Sequence, residues 1–310
     1  MNSRKPGSKH VGCCAVSLMP AVARMDECVR VDGRPVAEIP VGDRGLAYGD
    51  GIFRTIRIES GRPLAWSEQW RRLVHDCTAL GLGTPLEAEI SADIEALFDN
   101  ATHGVCKIMI TRGSGGRGYT PPRTPTPRRI VSAHELPAHA YGTPEPIALA
   151  RSSVALAIQP RLAGIKHLNR LEQVLARTEC DNRGLADAWM ADSQGFVIAT
   201  TMRNLFFVDS CGRWLTPSLT RAGIIGATRQ CLWRALDGAG EAVAESDIRP
   251  HALTDCRGAI ACNSVGGVVA VSHFDGVALA DSETLARYAR KLLMDMESRE
   301  PTQRYQRQGR

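Results

Sequence analysis

The chain has 310 residues, is 44% hydrophobic and 23% charged, and carries a formal net charge of +5. At roughly 150 residues per domain this suggests two domains or one large one, with enough apolar residues for a sizeable core. That balance excludes a wholly disordered chain, a coiled coil and a collagen-like fibre, and no apolar run is long enough to span a membrane.

The basic excess sits at the two ends. Residues 1–24 carry Arg4, Lys5, Lys9 and Arg24 and no acid, and residues 299–310 carry four arginines and Glu300. The body between them is left slightly acidic, without the clustered Lys and Arg that phosphate backbones require, so nucleic-acid binding is not expected of it. Ten cysteines are scattered with no Cys-x-x-Cys pair and no zinc-type Cys/His spacing. They read as reduced, mostly buried thiols of a cytoplasmic protein. Arg4-Lys5 followed by Val11–Ala23 has the outline of a signal peptide, but Gly12, Ser17 and Pro20 break the apolar stretch. Met25 is an alternative start.

In chain order, residues 1–24 are expected to be a disordered extension and residues 25–140 a small first domain. Val29 and Val31 alternate with Arg30 and Asp32, and Asp32-Gly33 marks a hairpin turn. Ile56 and Ile58 alternate with Thr55 and Arg57, and Ser60-Gly61 turns that strand back. Helical spacing runs through Trp66, Trp70, Leu73, Cys77 and Leu80, with Gly81 as a stop. A second helix is predicted from about Leu86 to Phe98, and strands over Val105–Thr111 and Arg129–His134. Between those strands lies a Gly/Pro segment, Gly113 to Pro127. It is long for a plain connector and reads as an active-site loop.

Turn formers from His139 to Pro146 mark the boundary to a larger domain, residues 147–298. That domain opens on a strand-like run, Ile147–Ile158. A helix from about Asn169 to Asn182 follows, then a meander over Ala186–Ala191, Gly195–Thr201 and Asn204–Val208. A helix at about Ile225–Leu236, strands near Ala259–Ala261 and Val268–His273, and a helix over Ser282–Met296 complete it. Tight turns between consecutive strands predict antiparallel pairing. Residues 299–310 are expected to be a disordered basic tail.

Gly113-Ser-Gly115-Gly-Arg-Gly118 matches the G-x-G-x-x-G dinucleotide fingerprint. That motif works only where the loop opens a helix whose N-terminus holds the pyrophosphate. Four prolines at 121, 122, 125 and 127 forbid such a helix, so a mobile loop over a substrate pocket is the better reading.

The informative stretch is Gly164-Ile165-Lys166-His167-Leu168-Asn169-Arg170-Leu171-Glu172-Gln173. Asn169 is a candidate N-cap with Glu172 three residues on, in the manner of a capping box. Leu171, Val174, Leu175 and Thr178 then share one helix face. Lys166 lies just before the helix, beside apolar Ile165 and Leu168. A lysine desolvated there has a lowered pKa and an amine free for Schiff-base chemistry. On composition alone a solvated lysine is the simpler reading.

This string resembles the lysine segment of the 4-amino-4-deoxychorismate lyases. These are fold type IV pyridoxal-phosphate (PLP) enzymes, a group that also holds branched-chain and D-amino-acid aminotransferases. Further matches follow in family order over about residues 28–297: Asp43–Phe53, Gln69–Leu73, Arg112–Tyr119, Asn204–Phe206, Thr216-Pro217 and Gly226–Arg229. The resemblance implies an α+β chain, with a small N-terminal α/β sandwich and a larger C-terminal pseudo-barrel domain with antiparallel strands. It implies a homodimer binding PLP and a small-molecule substrate, 4-amino-4-deoxychorismate, with no nucleic-acid or membrane partner. By position, Lys166 resembles the Schiff-base lysine and Arg72 the partner of the cofactor phosphate, whose geometry a guanidinium fork matches. The backbone of Ala227 and Thr228, at a helix start, and the Ser264 hydroxyl resemble the rest of the phosphate cradle. Tyr48, Arg112 and Asn263 fall on the implied substrate side.

One position departs from the family. Where relatives place a glutamate against the pyridine nitrogen, this chain has Ala199, with Thr201 one pleat along on the same strand face. A transaminase depends more heavily on a charged ring than a lyase, whose product gains aromaticity. The expected function is therefore a lyase making 4-aminobenzoate for folate. The alternatives are a D- or branched-chain amino-acid aminotransferase, and a PLP-binding paralogue with weakened catalysis.

Overall fold

The computed structural model describes residues 28–100 and 102–297. Both expected tails and the signal-like stretch lie outside these residues. The first sheet has five strands in the order β1-β5-β4-β2-β3, all antiparallel: β1 (Val29–Val31), β2 (Gly51–Glu59), β3 (Arg62–Pro63), β4 (Gly104–Thr111) and β5 (Arg128–His134). Its strand alternation is plain in β2. Ile52, Ile56 and Ile58 point into a core under α2 (Trp66–Ala79) and α3 (Glu87–Leu97), where they meet Leu73, Cys77, Ile90 and Ile94. Arg54 occupies the same face at 1% exposure, the one charge in an otherwise apolar row. Phe53 and Thr55 alternate to the opposite face.

The second sheet is mixed, in the order β11-β10-β9-β12-β13-β6-β7-β8, with β14 (Val277–Ala278) added to β13. Its strands are β6 (Ile147–Arg151), β7 (Asp187–Ala191), β8 (Val197–Thr200), β9 (Asn204–Val208), β10 (Trp214–Pro217), β11 (Val243–Ser246), β12 (Gly258–Asn263) and β13 (Gly267–Phe274). Antiparallel pairing holds for β7–β8, β9–β10 and β12–β13, which are joined by tight turns. The pairs β6–β7, β13–β6 and β10–β11 are parallel, because each is joined through a helix or a long crossover. The meander also breaks: β9 bonds to β12, not to β8. Leu205 and Phe207 of β9 enter one core and Phe206 and Val208 another, so this strand is buried on both faces. The second of these cores lies under α5 (Ala227–Gly238) and α6 (Ser282–Glu297).

Two local expectations fail. The run Ile147–Ile158 is a strand only to Arg151, since Ser152 and Ser153 turn to donate hydroxyl bonds to Glu179. The helix after the lysine, α4 (Leu171–Arg183), has Arg170 at its N-cap and no side-chain cap. Asn169 instead donates to Gly49 O at 3.2 Å, and Glu172 accepts the Ala157 amide at 2.7 Å. Both groups spend themselves on tertiary partners. The face of Leu171, Val174 and Leu175 is exposed, while Ala176 and Cys180 turn inward.

Candidate active site

The lysine segment joins the two sheets. On one side Phe53 donates its amide to Lys166 O at 2.9 Å, and Leu168 donates to Gly51 O at 3.0 Å. On the other, Gly164 donates to Gly223 O at 3.0 Å and Ile225 donates to Gly164 O at 3.1 Å. Residues 164–168 thus act as a short extra strand between β2 and the loop before α5. This wedges Lys166 into a cavity of about 380 Å³.

Its amine stands 4.2 Å from the centre of the Phe53 ring. Burial, then the neighbouring guanidiniums of Arg54 and Arg170, lower its pKa to about 7, against an opposing pull from Asp76. A large share of the amine is therefore unprotonated near neutrality, which nucleophilic and base chemistry both need. Asp76 organises the surroundings. This fully buried carboxylate on α2 accepts from the Lys166 amide at 3.0 Å, from Arg72 at 3.2 Å, and from Arg54.

The far end of the cavity is built for an anion. α5 starts at Ala227, and its first intrahelical bond runs from the Gln230 amide to Gly226 O. The amides of Ala227 and Thr228 therefore have no helical acceptor. Asn204 fixes the turn before them, accepting the Gly226 amide at 3.1 Å and donating to Ile224 O at 2.8 Å. The hydroxyls of Thr228 and Ser264 meet at 3.2 Å, and Gln69 donates to Ser264 at 2.9 Å. Free helix amides and two hydroxyls make a phosphate-sized cradle in the same cavity as a nucleophilic lysine. These residues fit a phosphorylated aldehyde cofactor such as PLP.

The structure brings Lys166, Ala199, Ala227, Thr228, Asn263 and Ser264 around one cavity. Asn263 spends its side chain locally, accepting the amides of Val265 and Gly266 and donating to Met202 O. Arg72 lies behind the wall, held by Asp76 and by Gly164 O at 3.0 Å; Arg54 lines the cavity in its place. Arg112 is also outside, clamped on Asp50 at 2.8 and 3.0 Å and donating to Leu80 O and Gly81 O. Tyr48 packs near Tyr119, ring centres 5.5 Å apart, under the Arg44 guanidinium. The same guanidinium bonds the carbonyls of Gly118, Tyr119 and Thr120 and so pins the Gly/Pro loop. No helix follows Gly118, so the dinucleotide fingerprint lacks its essential part.

Three residues of the site were not legible: Asp76, Asp187 and Arg170. Asp76 is fully buried on α2, although a single acid in a helix gives no sign of it. Asp187 stands in the apolar strand run Asp-Ala-Trp-Met-Ala; a charge inside a buried strand was the available signal. Arg170, half-buried on the wall, donates to His167 O at 2.9 Å and contacts His167 Nε2. Burial lowers the His167 pKa to about 4, so that ring is neutral and accepts.

Residues 51–274 match the family model for amino-transferase class IV, and the chain belongs to that family. It is 37% identical over 244 residues to the aminodeoxychorismate lyase of Vibrio harveyi, covering 78% of this chain and 89% of that one. It superposes on the crystal structure of 4-amino-4-deoxychorismate lyase from Pseudomonas aeruginosa with a TM-score of 0.78 and 38% identity, covering 86% and 98% of the two chains. The branched-chain aminotransferase of Escherichia coli shares the fold at a TM-score of 0.74 and 21% identity, covering 90% and 97%.

Proposed function

We propose that this chain is a PLP-dependent lyase that converts 4-amino-4-deoxychorismate to 4-aminobenzoate and pyruvate, a step towards folate. The observation that carries the reading is the low-pKa amine of Lys166, in one cavity with the phosphate cradle of Ala227, Thr228 and Ser264. The 37% identity to a lyase over most of both chains favours this reaction among the chemistries of the family.

When bound, PLP supplies a carbonyl for the amine and an electron sink for the carbanion at C4. The chain's own residues do the rest. The α5 amides and the hydroxyls of Thr228 and Ser264 hold the phosphate. Arg72 and Arg54 add positive charge from behind and beside it. Lys166 Nζ removes the C4 proton, the C3–O bond breaks, and the same Nζ returns a proton to the departing enolpyruvate. Product aromaticity drives the elimination. Arg170 lines the cavity and has no ion pair with a carboxylate among the described residues, so it receives a substrate carboxylate. Arg54 and Arg203 are already bound to Asp76 and Asp187.

The exposed apolar face of Leu171, Val174 and Leu175 suits the contact of a homodimer. Buried thiols such as Cys77, Cys106 and Cys180, outside any disulfide, suit a reducing, cytoplasmic setting. No described helix is long and apolar enough to cross a membrane.

The test supplies 4-amino-4-deoxychorismate and PLP and follows both products. Equimolar 4-aminobenzoate and pyruvate, abolished by Lys166→Ala, is the expected result. Glutamate formation from 2-oxoglutarate and a branched-chain or D-amino acid, without 4-aminobenzoate, would replace the lyase by an aminotransferase.

A further inference from the structure

Ala199 leaves the position opposite the pyridine nitrogen without a carboxylate, yet a carboxylate lies one residue layer behind it. Asp187 of β7 is fully buried. It accepts the Thr200 hydroxyl at 2.8 Å, the Thr201 hydroxyl at 2.6 Å, the Thr201 amide at 3.2 Å and the Arg203 guanidinium at 2.6 Å. Thr200, Thr201 and Arg203 all line the cavity beside Ala199.

The two threonines differ in what remains free. Thr200 Oγ1 gives its proton to Asp187 and accepts the amides of Met202 at 3.3 Å and Arg203 at 2.9 Å, which fills its capacity. Thr201 Oγ1 also gives its proton to Asp187 but accepts from no group among the described residues. Its lone pairs are the ones left for a ligand. A hydroxyl whose proton is committed to a carboxylate can only accept. A ring nitrogen facing it must therefore bring the proton. Turning the hydroxyl round, to donate to an unprotonated nitrogen, gives up its 2.6 Å bond to Asp187, the shorter of the carboxylate's two threonine hydroxyl bonds.

We propose that Asp187, acting through the Thr201 hydroxyl, does the work of the missing carboxylate and keeps the pyridine nitrogen of the cofactor protonated. Thr201 is then the contact and Asp187 a positioning residue. The inference rests on PLP binding as proposed above. Arg203 shares Asp187 and offsets part of its charge, so the polarity of the hydrogen bond, more than the net field, sets the preference.

The experiment is nitrogen NMR on the protein loaded with PLP labelled at the ring with ¹⁵N, at neutral pH without substrate. The expected result is a ring-nitrogen shift in the protonated range for the unaltered protein. Thr201→Val should move it towards the neutral range while PLP stays bound through the intact phosphate cradle. Thr201→Ser should restore it, and Asp187→Asn should weaken it. Ala199→Glu should leave it in place, since the nitrogen already carries its proton. A neutral shift in the unaltered protein, or a protonated one that survives Thr201→Val, would overturn the proposal. If Asp187→Asn does not fold, the Thr201 pair decides alone. The signal does not depend on the reaction, so a failed lyase assay leaves it readable. A protein that binds no PLP overturns both readings.

Discussion

Replacing Asp76 with Asn tests how the reactive lysine is held. The carboxylate is buried against two guanidiniums whose side chains are only 2% and 4% exposed. Asparagine keeps the shape and one acceptor oxygen but removes the charge. Breaking a buried ion pair by removing one partner costs about 3–5 kcal/mol, because the other charge stays buried and uncompensated. Arg72 keeps its bond to Gly164 O and Arg54 its bond to Arg72 O, so a loss of about 3 kcal/mol is expected. At about 2–4 °C per kcal/mol, the thermal midpoint should fall by roughly 10 °C. The charge change also reaches the chemistry. Asp76 raises the Lys166 pKa against the burial and the positive charges that lower it, so its loss should lower that pKa below about 7. Urea unfolding and the pH dependence of PLP capture by the apoprotein measure the two effects. A stability loss under about 1 kcal/mol, or an upward shift of the amine, would refute this account.

PLP capture by the unaltered apoprotein should weaken as pH falls through about 7, because protonation removes the free amine of Lys166. A limb near pH 10 instead would show an ordinary, solvated lysine. Burial pushes the thiols of Cys77 and Cys262 up to about 12 and Cys256 up to about 11. These three should resist a thiol reagent at pH 8 until urea unfolds the chain, whereas exposed Cys211 should react at once. Fast modification of Cys77 or Cys262 in the native protein would contradict the packing described.

The sequence by itself determined the local elements wherever one apolar face repeats at a fixed period. The predicted helix from Trp66 to Leu80 is α2, the Leu86–Phe98 prediction is α3, and Asp32-Gly33 turns β1 back on Arg34. Lys166, Ala227 and Thr228 were legible through the resemblance of the strings that carry them to one family, and the helix start then explains why the last two would hold a phosphate. Tertiary structure decided what no period or string encodes. Strand order in the second sheet depends on long crossovers, so the parallel pairs were invisible in the local pattern. Asn169 and Glu172 satisfy the rule for a capping box, but Gly49 and Ala157 claim their side chains. Asp187 stands out in its apolar strand run, but the run does not say what the charge faces. Only the curl of the sheet sets it behind Thr201, because a buried charge finds its partners in three dimensions and not along the chain.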